Sequence, residues 1–509
     1  MFRSLLKLFS RNFAVAFLFC LVLSAFAISP GAFARSGGGH TSYSGHSSSV
    51  SYGHSSYGGS GFGAVPMYYG GGSSGQFLFL IVILIILFLI VSKNRVNRTG
   101  DEDAASDLLL RSQMNLEQGR YLNLTPFDPE SIRQFDPKFS VPAFMDFTYA
   151  LYAITHKMRG ENSLQTLTPY LSPEVIAKYE QLSPLAKEVK GIVVSGCRLI
   201  SGNATENNLV IRIHFDANYT ESTPGKPDQS FYAQETWVLS KKKTVPSLIP
   251  SKLRQISCPN CGAPPSFSED GKCSACGTIV HRGDFNWSIE SVELSRMQTP
   301  PLLTSTVEEE GTDLPTVFAP DLVQKETAFA AKYPNFKFSQ FQKRAEETYF
   351  AAQSAWTERK PEIARPYESE NIFQMHQYWI SEYLKQGMIN VLKNVSLHKI
   401  EAVKLDQDEF FESMTVRMYG SMIDYTIYEA DQKIVAGDTR NPREFTEYWT
   451  FIRSADGGAA KKHDTGCPAC GASLKINQSG HCEYCLALVT SGDFDWVLSE
   501  IEQDETYHG

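Results

Sequence analysis

Cysteine is scarce outside two short stretches: of the ten in this 509-residue chain, only Cys20 and Cys197 stand apart from two quartets. Cys20 sits in an apolar N-terminal run, and Cys197 follows Gly191-Ile192-Val193-Val194. Both read as small buried hydrophobes rather than reactive thiols. Positive charge is not in excess either. With 47 Lys and Arg against 56 Asp and Glu the net charge is -9, so no global attraction to nucleic acid is expected. No carboxylate–histidine or nucleophile arrangement stands out, and His214, His376 and His463 lack counterparts in the other half, so catalysis has no positive support. From Arg35 to Gly75 the chain is almost wholly Gly, Ser, Tyr and His. Such a stretch cannot bury enough apolar surface to offset ordering entropy and reads as a disordered spacer. His40, His46 and His54 within it could hold a metal only loosely.

What is present is a repeated metal motif. Cys258, Cys261, Cys273 and Cys276 form C-x2-C-x11-C-x2-C, and Cys467, Cys470, Cys482 and Cys485 repeat it 209 residues later. The offset persists from Gly283-Asp284-Phe285-Asn286-Trp287 to Gly492-Asp493-Phe494-Asp495-Trp496. A spacing kept in register beyond the motif marks an internal duplication. Two CxxC turns supply the four soft donors of a tetrahedral Zn2+ site, and four thiolates leave no open position, so each ion would be structural. Iron in a rubredoxin-like site is the alternative. The inserts, 256–282 and 465–491, have little apolar core of their own and should fold around the ion. Gly262, Gly277 and Gly471 follow a second cysteine, where tight knuckles favour positive φ; Leu486 in the fourth such place predicts a looser knuckle. Nucleic-acid binding through the ribbons is the weakest reading. Lys272 and Arg282 are balanced by Glu269 and Asp270, and Lys475 by Glu483, so the counterion-release term is missing.

Residues 1–34 read as a signal peptide: Arg3, Lys7 and Arg11 precede an apolar run to Ile28, and Ala32-Phe33-Ala34 offers a small-x-small cleavage site. Retention as an uncleaved anchor is the alternative. Residues 76–92 read as a transmembrane helix built on the apolar run Phe77–Val91, which spans only ~22 Å of a ~30 Å layer unless its flanks extend it. Lys93, Arg95 and Arg98 then put the C-terminal side in the cytoplasm, whichever fate the first segment has. That compartment keeps thiols reduced, as metal ligands require. The expected localisation is the inner or plasma membrane, single-pass. Residues 93–135 form a juxtamembrane linker.

Each half then shows helices followed by strands, an α+β order. The first has a helix from about Phe139, another from Pro173 to Leu185, and strands at Gly191–Leu199, Asn208–Phe215 and Phe231–Leu239, with a last one carrying Trp287 and Ile289. The second repeats this with strands near Val395–Leu405, Ser413–Tyr419, Phe445–Arg453 and Phe494–Ile501. Trp237, Trp287, Trp449 and Trp496 fall at matched places and read as core, and the duplicated Asp284 and Asp493 as turn residues. Residues 296–325 read as a Pro-, Thr- and Glu-rich linker.

Phe341, Tyr349-Phe350, Gln353 and Trp356, then Pro366-Tyr367, then Phe445-x-Glu447-x-Trp449-x-Phe451-x-Arg453, and Trp496-x-Leu498 with Ile501, resemble the Tim44-like domain family. That is the C-terminal domain of the import-motor tether subunit of the mitochondrial inner-membrane translocase, with bacterial membrane-anchored relatives. Residues 136–295 match more loosely through Glu235-x-Trp237-x-Leu239 and Trp287-x-Ile289, with no tryptophan after Ile154 and Lys241 not clearly at the place of Arg453. The resemblance covers 136–295 and 326–503. It implies two tandem cone-shaped α+β domains like nuclear transport factor two, each with a hydrophobic pocket; the element order adds helices on a curved antiparallel sheet, and the cysteine spacing a zinc ribbon before the last strand. It further implies a non-catalytic tether or adaptor for membrane lipid or a protein partner linked to protein translocation. An enzyme using an acid/base residue in a cone pocket is the competing reading.

Overall fold

The computed structural model describes residues 127–182, 184–298, 314–456, 466–477, 480–504 and 506–509. The expected signal peptide, the Gly/Ser/Tyr/His stretch, the transmembrane helix, most of the 93–135 linker, Cys20 and His463 lie outside the described residues. Among the described residues no helix is long and apolar enough to cross a membrane.

The first half opens with a helical turn at Glu130–Arg133. Helix α1 (Val141–Gly160) follows, its N-terminus capped by the Ser140 hydroxyl with Pro142 in the first turn. Helix α2 spans Pro173–Leu182, three residues short of the expected end. Strands β1 (Glu188–Ala204), β2 (Asn208–Ser222), β3 (Gln229–Lys242) and β4 (Ser288–Gln298) form one antiparallel sheet in sequence order. The second half has α3 (Leu322–Lys332), α4 (Phe338–Glu358) and α5 (Glu370–Lys385). Its strands are β5 (Met388–Gln407), β6 (Phe411–Tyr428), β7 (Ile434–Gly437), β8 (Arg443–Ser454) and β9 (Val497–Gln503). The sheet order is β5-β6-β8-β9, with β7 paired only to β6. The strands run longer than the sequence suggests because their ends alternate polar residues. Their apolar runs mark only the part packed beneath the helices.

The two halves repeat one another in register. Phe144, Tyr152, Tyr170 and Ser172 have counterparts 197 residues on in Phe341, Tyr349, Tyr367 and Ser369. The parallel bridge Leu171–Ile289 recurs as Glu368–Leu498. Strand β1 has register shifts at Lys190/Val193, Val194/Gly196 and Leu199/Ser201, and β5 has them at Lys393/Ser396, Leu397/Lys399 and Ala402/Lys404. Bulges at matched places bend both sheets alike, since each adds an unpaired residue to one strand. The length differences lie at α5, which is longer than α2, at the β7 hairpin, and in the stretch between β8 and the second ribbon, which is three residues shorter than its counterpart after β3.

Each sheet buries one face under its helices. In the first, Ile211, Ile213 and Phe215 face inward beside Leu239 and Trp237; in the second, Met414, Val416 and Met418 face inward beside Phe451 and Trp449. All four matched tryptophans are buried, as is Cys197, in keeping with the core readings. Burying each such side chain contributes roughly 1.5–3 kcal/mol. Lys241 does stand where Arg453 does. Its ammonium lies 5.2 Å from the Trp287 ring centre, and the Arg453 guanidinium lies 4.7 Å from that of Trp496.

The linker bounds shift. Ile132 is fully buried in the first core, so the first half begins before residue 136. At the other boundary β4 runs to Gln298 and α3 starts at Leu322, while Val317 N–H already donates to Tyr448 Oη at 3.0 Å. The halves are joined through buried charge and apolar contact. Arg133 pairs with Asp406 through two bonds of 3.0 and 2.7 Å, and Phe411 and Ile452 of the second sheet join the core of the first half. Helix α5 packs on β1 as well as on β5 and β9.

Candidate metal centres and an interdomain cavity

The eight quartet cysteines converge as their spacing requires. In each quartet the four Sγ atoms lie within 4.8 Å of one another, with Cys258–Cys276 at 3.8 Å, Cys261–Cys273 at 3.9 Å and Cys467–Cys485 at 3.9 Å. A metal–sulfur bond of about 2.3 Å in a tetrahedron sets sulfurs roughly 3.8 Å apart, so both quartets fit a metal ion such as zinc. The knuckles hold them there. Gly262 N–H donates to Cys258 O at 2.8 Å, Gly277 to Cys273 at 2.9 Å and Gly471 to Cys467 at 2.7 Å, each glycine at positive φ. The looser knuckle expected at Leu486 is not found. Leu486 adopts φ 60° and closes the same bond to Cys482 O at 2.9 Å. A leucine there costs about 1 kcal/mol of local strain. Leu486→Gly is therefore expected to stabilise the loaded ribbon by about 0.5–1 kcal/mol, after the entropy glycine adds to the unfolded chain. Competition against a chromophoric chelator reads this directly, and weaker metal retention in the variant would reject the strain.

Second donors favour the thiolate form at Cys276 and Cys482, while the neighbouring sulfurs hold Cys261 and Cys470 up at about 12. Hydrogen bonds from Thr278 and from Asn260, whose amide lies 3.5 Å from Sγ, lower Cys276 to about 5. Backbone N–H groups of Cys485 and Tyr484 lower Cys482 to about 7. The ribbons differ in support. Cys258, Phe267, Cys273 and Val280 join the core of the first half, where Tyr170 Oη donates to Ser257 O at 2.8 Å. Cys467, Cys482 and Val489 form a small cluster of their own. The first ribbon thus has an apolar anchor that the sequence did not reveal, whereas the second packs none of its described residues into a main core and is tied to the fold by the buried Arg365, whose Nε donates to Asn477 O at 3.4 Å.

The interiors of the two halves hold buried carboxylate–histidine pairs that sequence spacing did not disclose, contrary to the expectation that no such arrangement stands out. Glu235 is fully buried and accepts from Tyr152 Oη at 2.9 Å, Tyr179 Oη at 2.5 Å and Trp237 Nε1 at 3.0 Å, with His156 Nε2 at 2.9 Å. Its charge outweighs the cost of burial because His156 and these donors face it, and its pKa falls to about 2. Burial holds His156 below its ordinary value, which favours the neutral imidazole. In the second half Trp449 Nε1 donates to Glu447 at 2.9 Å, the same Glu-x-Trp geometry. His376 stands at the counterpart of Tyr179 and instead meets Glu368 at 2.7 Å. The partners lie on different elements, and only the fold brings them together. His214 lies on the other sheet face, 3.0 Å from Thr236 Oγ1, and Asp284 and Asp493 occupy turns, as expected.

Residues 324–463 match the Tim44-like domain family. No curated protein matches the chain. The Tim44-like stretch takes in the helices of the second half and β5 to β8, and it ends before Cys467. Domains of this family are generally binding domains rather than enzymes. The sheet of the second half, including β9 beyond the matched residues, also forms one wall of a cavity, about 190 Å³, against α1 and β1 of the first half. Register places Lys404, Thr415, Thr450 and Glu500 in one row across the outer face of that sheet, and Glu502 lies two residues on. Burial raises Glu500 well above the usual carboxylate range and Glu502 to about 7; the charges of Lys404 and Arg198 oppose this through space. The sequence showed only an alternating strand here, because the opposite wall comes from residues some 300 positions away.

Proposed function

We propose that this is a membrane-tethered, non-catalytic binding protein. A single span at 76–92 would hold two tandem Tim44-like domains, 136–295 and 326–503, at the cytoplasmic face, where they bind membrane lipid or a protein partner linked to translocation. Zn2+ in each quartet would brace the sheet edge just before its last strand. The observation that carries this reading is the Tim44-like match at 324–463, together with the recurrence of its strand order, bulges and Glu-x-Trp pair in the first half. The closed four-thiol geometry favours a structural ion over a catalytic one. The buried His156–Glu235 pair is sealed at 0% exposure and fits a core role better than acid/base chemistry.

A reporter fused after Gly509 tests the topology. Activity is expected only in the cytosol, with the full chain retained in membranes after alkaline extraction. Periplasmic activity, or release by alkali, would reject the tether.

A further inference from the structure

The chamber between the halves is lined by groups of both signs; Asp406 and Asp146 are already paired with Arg133 and Arg254, and Lys404, Arg198, Glu500 and Glu502 face it as well. Lys404 stands at one end of the row on the outer sheet face and Glu500 at the other, with Thr415 and Thr450 between them, their hydroxyls 2.8 Å apart. Three strand spacings separate the ends, roughly 14 Å. Glu502 adds a second carboxylate at the β9 end, and Arg198 of the first sheet a second cation in the lining. Tyr507, only 5% exposed, also lines the chamber, and its hydroxyl has no hydrogen-bond partner among the described residues. A buried hydroxyl without a partner costs about 1–3 kcal/mol, so a ligand or water that satisfies it is favoured.

The acids do not form a cation cage. Among the described residues only the thiol quartets bring three or more metal-ligating side chains within 4.8 Å of one another. With Glu500 and Glu502 held toward their protonated forms, an ammonium beside them would displace a proton to solvent, and a carboxylate toward Lys404 would balance the charge the ammonium brings. The volume, about 190 Å³, exceeds the roughly 150 Å³ of an engineered cavity that accepts benzene.

We propose that this chamber binds a small zwitterion of amino-acid size, its ammonium group on Glu500 and Glu502 and its carboxylate toward Lys404. The threonine pair and Tyr507 Oη supply neutral hydrogen bonds along its length. Such a ligand touches both halves at once, so its binding also holds them together. The site stands independently of the membrane tether.

Calorimetric titration of the purified full chain tests this with glycine, L-alanine, L-leucine and γ-aminobutyrate, against n-propylamine and propionate as single-charge controls. At least one zwitterion is expected to bind with Kd below about 1 mM and about tenfold tighter than either control. Glu500→Gln/Glu502→Gln and, separately, Lys404→Met should each weaken it about tenfold while circular dichroism and metal content stay unchanged. Saturation by none of the four zwitterions up to about 10 mM would overturn the proposal. Equal binding of n-propylamine would overturn it too, as would affinity that survives both variants. A variant that fails to fold is replaced by Thr450→Val, which keeps the charges and removes one neutral donor; undiminished affinity there would count against the lengthwise pose.

Discussion

Replacing Glu235 with alanine is expected to destabilise the first half by about 3–5 kcal/mol, among the largest effects of any single change outside the metal sites. The carboxylate is the shared acceptor for Tyr152, Tyr179 and Trp237, with His156 Nε2 lying 2.9 Å away, all buried. Its removal leaves the Tyr152 and Tyr179 hydroxyls without their acceptor, each costing about 1–3 kcal/mol before relaxation, while Trp237 Nε1 keeps Tyr179 Oη at 3.0 Å. Glu235→Gln should cost less, since its carbonyl oxygen still accepts while its amide opposes the remaining donors. Urea unfolding of the full chain, followed by tryptophan fluorescence, reads both. A loss under about 1 kcal/mol in the alanine variant would mean the network contributes little.

The same pair sets an acid limit. Glu235 is depressed to about 2 in the fold, so its contribution is present above its ordinary value near 4.5 and is lost as pH falls through about 2. His156 is also held below its ordinary value, so the unfolded chain takes up a proton that the fold resists, and stability declines as pH falls below about 6.5. Both slopes have the same sign. His156→Gln should flatten the upper part of the decline, and an unchanged profile would remove His156 from the account.

Substituting Cys467 and Cys470 by serine is the second large change. Bound metal should fall by half, from two ions per chain to one, and the second ribbon should unfold locally, because only Val489, Ala469 and Ile476 pack with its buried cysteines. The equivalent change at Cys258 and Cys261 should cost the same ion yet leave more residual structure, since Phe267 and Val280 remain anchored in the main core. Metal stoichiometry by native mass spectrometry and limited proteolysis of the two variants separate these outcomes. Unchanged stoichiometry in either would refute that site, and equal proteolysis in both would refute the difference in anchoring.

Much of this was written in the chain itself. A tetrahedral metal needs donors at fixed local intervals, so the CxxC spacing alone grouped all eight thiols correctly. Strand and helix order followed from local periodicity, and the repeat announced itself because matched residues keep a constant offset. Three things were decided only by tertiary structure. The Glu235 and Glu368 networks join side chains from separate elements, and no local pattern encodes such a meeting. Leu486 entered the left-handed region because the knuckle hydrogen bond and its ligand geometry outweigh about 1 kcal/mol of strain. The chamber exists because one half lays α1 and β1 against the outer face of the other half's sheet. That face looked merely polar in sequence, and its charges acquired meaning only when packing withdrew them from water.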